Sequence, residues 1–171
     1  GLASARNAGI RASRGAYILP LDADDKLATE FLAKTIDFLE SHPDENIVTT
    51  GRKDFGVTNA THTFERYTLE QVKQNNYISY CTLYRREVWD TVGGYNTNMI
   101  WGYEDWDFWI GCAERGWFPA LIDDVLFHYR VKKNSMYTAA MKHDAELKAQ
   151  IVLNHPTLYA STLVAKARQI L

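Results

Sequence analysis

A chain of 171 residues, 46% hydrophobic and 23% charged, has the composition of one globular domain with a real core, which excludes a disordered segment. A formal net charge of -2 with no block of like charges excludes general affinity for nucleic acid, so any polyanion must be met by a local site. No apolar stretch reaches the ~18 residues of a membrane span, and Cys81 and Cys112 read as two buried thiols compatible with a reducing, cytoplasmic compartment.

The opening segment from Gly1 to Ile10 has no initiator Met and reads as the middle of a folded unit. A short helix over residues 4–12 ends at Ser13-Arg14-Gly15, with Gly15 in the C-cap position, and residues 16–21 follow as a buried strand. Phe31, Leu32, Thr35, Ile36, Phe38 and Leu39 recur at helical spacing up to the stop at Pro43, and Ile47-Val48-Thr49-Thr50 is the next strand. Residues 53–59 read as turns. Thr68-Leu69-Glu70-Gln71 fits a capping box, residues 77–84 favour a strand, and residues 85–92 form a helix ended by Gly93-Gly94. A helix over residues 104–115 is capped by Gly116, and two short strands follow at 118–122 and 125–130. Residues 137–171 form a helical extension interrupted at Asn154-His155-Pro156. The fold class is therefore α/β with helices at its C-terminus.

Two acidic clusters carry the chemistry. Asp22-Ala23-Asp24-Asp25 falls at the C-terminal end of a strand, where open α/β sheets bind ligands. In extended geometry Asp22 and Asp24 point the same way, and two hard oxygen donors suit Mg²⁺ or Mn²⁺, whose remaining coordination positions phosphates and water complete. The alternative is an Asp-rich turn that caps the next helix. An EF-hand fails, because Leu27 and Ala33 occupy the positions that need Gly and Glu. A phosphatase of the DxDx(T/V) type, which would want Thr or Val where Lys26 stands, and a glycosidase pair of opposed carboxyls both stay open.

The second cluster, Glu104-Asp105, lies within Trp101-Gly102-Tyr103-Glu104-Asp105-Trp106-Asp107-Phe108-Trp109. In the first turn of a helix the macrodipole favours the ionised form of Asp105 and keeps it available as a base, although these carboxylates could equally serve as caps. Phe108 and Trp109 are assigned to the core and Trp101 to a position nearer a site, where its face could stack on a sugar. His128 and Arg130, two residues apart on a strand, could pair a metal ligand with a cation for phosphate, or be structural.

In chain order, Ser4-Ala5-Arg6-Asn7-Ala8-Gly9-Ile10, Gly15-Ala16-Tyr17-Ile18, Asp22-Ala23-Asp24-Asp25, Gly93-Gly94-Tyr95, Tyr103-Glu104-Asp105-Trp106-Asp107 and His128-Tyr129-Arg130 together resemble the inverting GT-A glycosyltransferases that use nucleotide sugars. The resemblance runs over residues 1–136 and implies a Rossmann-like GT-A domain, incomplete at its N-terminus, where family members carry the βαβ unit that receives the nucleotide base. It implies a Mn²⁺ or Mg²⁺ ion held by Asp24 with Asp22 and completed by His128. Arg6 and Asp22 would contact the nucleotide side, and Gly94 would line the donor sugar and acceptor. Glu104 would bind the acceptor and Asp105 would be the base. The partners the resemblance implies are a nucleotide-diphosphate sugar, a UDP-sugar, and a glycan or lipid-linked acceptor. Without the first unit, the fragment alone should bind donor poorly and expose a sheet edge suited to a homodimer, and its C-terminal helices leave room for peripheral membrane association. The competing class is a non-catalytic sugar- or cation-binding module, or an inactive transferase relative.

Overall fold

The computed structural model describes all residues, 1–171. In chain order the elements are α1 (Leu2–Ala12), β1 (Tyr17–Ile18), β2 (Lys26–Leu27), α2 (Phe31–Ser41), β3 (Ile47–Gly56), β4 (Thr61–His62), α3 (Leu69–Gln74), β5 (Leu83–Arg85), α4 (Arg86–Val92), α5 (Glu104–Ala113), β6 (Ala120–Val131), α6 (Met136–Ala140), α7 (Asp144–Asn154) and α8 (Ser161–Ile170). One mixed sheet runs in the order β1-β5-β3-β6-β2, with β4 hairpinned onto β3. The central pair β3 and β6 is parallel and the other pairs are antiparallel.

The two-residue period of the strands separates two core layers. Ile47 and Tyr84 face the large cluster built with Ala3 and Ile10 of α1, Val88 of α4 and Phe108, Trp109 and Ile110 of α5. Their neighbours Val48 and Leu83 face the opposite layer, where Leu39 of α2 packs on them. Leu147 and Ile151 of α7 enter the large cluster, so the C-terminal helices share the core with the sheet. Cys81 and Cys112 are buried free thiols in separate clusters. Both edges of the sheet are strands of two residues, a short template for pairing with another chain.

Three segments differ from the local sequence signals. Residues 53–56 continue β3 because β6 pairs with them through Gly56↔Val131, so tertiary pairing overrides turn-like composition. The two strands expected at 118–122 and 125–130 are a single strand, bulged where the register steps from Thr50↔Ile122 to Gly51↔Val125. Gly51 makes that step feasible: a Cβ there would lie 3.0 Å from Val125 Cγ2 and 3.2 Å from the Asp124 carbonyl. Of residues 77–84, only Leu83 and Tyr84 are in a strand, and the preceding segment loops along the binding cleft. The capping box at Thr68 forms, with Gln71 N–H donating to Thr68 Oγ1 and Gln71 Oε1 accepting from Thr68 N–H.

A candidate active site

A cleft of about 850 Å³ opens at the C-terminal end of β1 and beside the N-terminus of α5. Its lining brings together Arg6, Asp22, Asp24, Glu104, Asp105 and Arg130, which sequence reading assigned to substrate, metal or base. Gly94, Trp101 and His128 are not part of it.

Arg6 is the hub. α1 buries its face through Ala3, Asn7 and Ile10, and this aims Arg6 into the cleft. There Nη1 donates to Glu104 Oε1 at 2.6 Å, across 98 positions of sequence, and Nη2 to Asp22 Oδ1 at 3.1 Å. The guanidinium also lies over the rings of Tyr80 at 5.0 Å and Tyr95 at 5.7 Å. Burial works against its charge, but Glu104 and the nearby Tyr95, Asp105 and Asp22 more than compensate and raise its pKa.

α5 begins at a strained residue. Tyr103, at φ +61°, is the only non-glycine in the left-handed region, a conformation that costs a non-glycine residue roughly 1–2 kcal/mol. Its hydroxyl donates to Asp144 Oδ1 at 2.9 Å, which ties the start of α5 to α7. The two carboxylates then leave the helix in its first turn. Glu104 is 3% exposed, and burial, reinforced by adjacent Asp105, pushes its carboxyl up to about 7 against the pull of Arg6. Burial outweighs the 2.6 Å ion pair, and the charges of Asp105 and Asp22 beside the one guanidinium add to it, so Arg6 does not hold Glu104 low. Asp105 is half-buried, and burial raises its pKa too, opposed by Arg6 and by Asn76, whose Nδ2 donates to Asp105 Oδ2 at 3.0 Å.

The Asp22–Asp25 loop is held by groups that no local pattern marks. Asp25 accepts from the Arg130 N–H at 2.6 Å and from the Tyr80 hydroxyl at 2.5 Å, and Tyr80 Oη accepts from the Asp22 N–H at 3.1 Å. Arg130 Nε donates to the Asp24 carbonyl at 2.9 Å, and its guanidinium lies 4.5 Å from the centre of the Phe55 ring. The Asp24 carboxylate is ion-paired with Lys132, and that contact holds its pKa below the usual range.

For a divalent cation the donor set is thin. Asp24 faces Lys132, Asp22 shares Arg6, and both oxygens of Asp25 are bonded. His128 is in register with Lys26 on β2 and Lys53 on β3 and is not among the residues that line the cleft, although Tyr129 and Arg130 beside it are. No three His, Cys, Asp or Glu side chains converge to hold a metal ion. As arranged, these residues do not form such a site.

Gly94 and Trp101 have other surroundings. Gly94 is buried with φ +83°, and a Cβ would stand 2.8 Å from Asn7 Oδ1 and 3.1 Å from the Trp89 ring. Buried Asn7 uses that space, its Oδ1 accepting from Trp89 Nε1 and Tyr95 N–H and its Nδ2 donating to the Tyr95 carbonyl at 2.7 Å. Gly94→Ala combines left-handed strain with this collision and should cost about 2–4 kcal/mol, read as a lower urea midpoint with an unchanged m-value. Trp101 is 53% exposed and stacks on His143 with ring centres 4.6 Å apart.

Solved structures similar in fold include S. aureus TarS 1–349 (TM-score 0.70, 17% identity, 99% of this chain and 49% of that one) and the same protein in complex with UDP-GlcNAc (TM-score 0.66, 17% identity, 96% and 49%). Among curated proteins, the uncharacterized glycosyltransferase MJ1057 of Methanocaldococcus jannaschii is 24% identical over 150 residues, 83% of this chain and 51% of that protein. The uncharacterized protein y4gI of Sinorhizobium fredii is 28% identical over 117 residues, 67% of this chain and 13% of that protein. The chain thus spans about half the length, or less, of the relatives it matches. No helix is long and apolar enough to cross a membrane. Residues 1–102 match the family described as Glycosyl transferase family 2, and with an α/β fold that agrees from end to end, the chain belongs to glycosyl transferase family 2.

Proposed function

We propose that this chain carries the catalytic part of a transferase that moves a sugar from a nucleotide-diphosphate donor, a UDP-sugar, to an acceptor hydroxyl with inversion. The observation that carries this reading is the convergence of Asp22, Glu104 and Asp105 around Arg6 in one cleft. The UDP-GlcNAc bound by S. aureus TarS supports the choice of donor class.

In this reading Asp105 accepts the proton of the acceptor hydroxyl as its oxygen attacks the anomeric carbon, and the bond from that carbon to the diphosphate oxygen breaks. A raised pKa makes Asp105 a stronger base once ionised, and Asn76 fixes the orientation of its carboxylate. Glu104 is assigned to a second acceptor hydroxyl, and the bond from Arg6 holds its carboxylate at the cleft. Tyr77 and Tyr137, both exposed aromatics lining the cleft, offer flat faces to an acceptor glycan or to the sugar of a lipid-linked acceptor. The acidic excess around Arg6 repels a nucleotide phosphate, so the diphosphate is assigned to Arg130 and Lys132, the cations that line the same cleft.

Incubating the full-length protein with a panel of UDP-sugars and acceptor glycans tests this directly. Transfer with a product anomer opposite to the donor's supports it; donor binding without turnover on any acceptor would point to a non-catalytic module.

A further inference from the structure

The Asp24 carboxylate already has a cation. Lys132, just past the C-terminal end of β6, places its ammonium on Asp24 Oδ2, and Arg130, two residues earlier, holds the Asp24 carbonyl at 2.9 Å. Neither group is buried away from the ligand: both line the cleft, and the side chains of Lys132 and Asp24 are 48% and 38% exposed. Of the other oxygens that a divalent ion would need, Asp22 Oδ1 is bonded to Arg6 and both carboxylate oxygens of Asp25 to Tyr80 and the Arg130 N–H. Lys132 competes directly with a metal ion for the Asp24 carboxylate, and with Arg130 it offers positive charge to an anion in the cleft.

We propose that Lys132 supplies at Asp24 the positive charge that a DxD motif ordinarily takes from a divalent metal, and that the ligand of this Lys132–Arg130 pair is a diphosphate. The position of Lys132 fits the chemistry. A lysine ammonium is a compact point charge on a flexible stem, able to leave Asp24 and follow a phosphate oxygen, whereas Arg130 is fixed by its bond to the loop and by the Phe55 ring. The identification of the anion as a diphosphate rests on the sugar-transfer reading above; the competition between Lys132 and a metal at Asp24 does not.

The test therefore has two arms. In the first, Mn²⁺ is titrated into the chain and free hexaaqua Mn²⁺ is read by its paramagnetic resonance signal. Lys132→Gln, at an exposed position, should bind Mn²⁺ on the order of tenfold more tightly than the parent, because it frees the Asp24 carboxylate and removes one repelling charge. Adding Asp24→Asn to Lys132→Gln should abolish that gain. Equal Mn²⁺ binding by parent and Lys132→Gln, at whatever strength, overturns the proposal, as does a gain that survives Asp24→Asn. In the second arm, UDP is titrated into the full-length protein in excess chelator. Retained binding in the parent, weakened about tenfold or more by Lys132→Gln, is the expected result; binding that requires Mn²⁺ in the parent overturns it. Failure to bind UDP with or without Mn²⁺, alongside the expected Mn²⁺ titrations, sinks the nucleotide-sugar reading and leaves the Lys132–Asp24 assignment standing.

Discussion

Asp105→Asn in the full-length protein should lower sugar transfer by roughly 10²- to 10⁴-fold, the usual contribution of a positioned general base, and leave UDP binding nearly unchanged. The amide keeps the size of the carboxylate and its Oδ1 can still accept from Asn76 Nδ2, so the geometry at the start of α5 survives while the proton acceptor is lost. The pH profile adds a second signature. Burial raises the pKa of Asp105 above the usual 3.8, and adjacent Glu104 is pushed up to about 7, so the ionised base is lost on acidification at a higher pH than for an ordinary aspartate. The acid limb of kcat/KM belongs to the pair, since two carboxyls this close titrate together. It should shift in the small residual rate of the Asn variant, where Glu104 titrates without its neighbour. Near-normal turnover by that variant would remove Asp105 from the mechanism and move attention to Glu104.

Much of this arrangement is legible in the sequence, and the residues that are not share a physical reason. α1, α4 and α5 carry apolar residues at helical spacing, and α4 has its glycine stop at Gly93, in the left-handed region; such elements declare themselves locally. Trp109 and Phe108 fall in the core as their spacing predicts, each 1% exposed. By contrast, residues 52–56 have no local preference for a strand and are extended because β6 and β4 pair with them. The Asp123-Asp124 pair looks like a turn and is instead a bulge accommodated by Gly51. In the cleft, Asp22, Glu104 and Asp105 are visible as acidic clusters beside apolar runs. Tyr80, Asn76 and Lys132 are invisible, because their importance comes from partners 29 to 108 positions away in sequence, a span set by Asn76–Asp105 at one end and Lys132–Asp24 at the other. Gly94 belongs with them: its local motif reads as a loop at a sugar site, and its surroundings are Asn7 and Trp89.

Arg6→Met should destabilise the fold by about 3–5 kcal/mol near pH 8, because it removes the single cation from a cluster of three carboxylates while preserving much of the side-chain volume. The dependence on pH separates this cause from a packing defect. In the parent, Glu104 titrates at about 7 when folded against an ordinary 4.5, so the folded state binds the extra proton. That contribution is complete below about pH 4.5 and is lost as pH rises through about 7, which makes the parent itself less stable at pH 8 than at pH 5 through this group. Without Arg6 the pKa of Glu104 moves higher still, since the guanidinium is the group that opposes its rise. The gap between parent and Arg6→Met in urea unfolding should therefore be larger at pH 8 than at pH 5, where protonation removes the uncompensated charge. Combining Arg6→Met with Glu104→Gln should recover part of the loss at pH 8, because the neutral amide no longer needs a counter-ion. A gap that is the same at both pH values, or no recovery in the double variant, would mean that Arg6 contributes through its contacts with Tyr80 and Tyr95 and not as the charge that holds the two acidic clusters together.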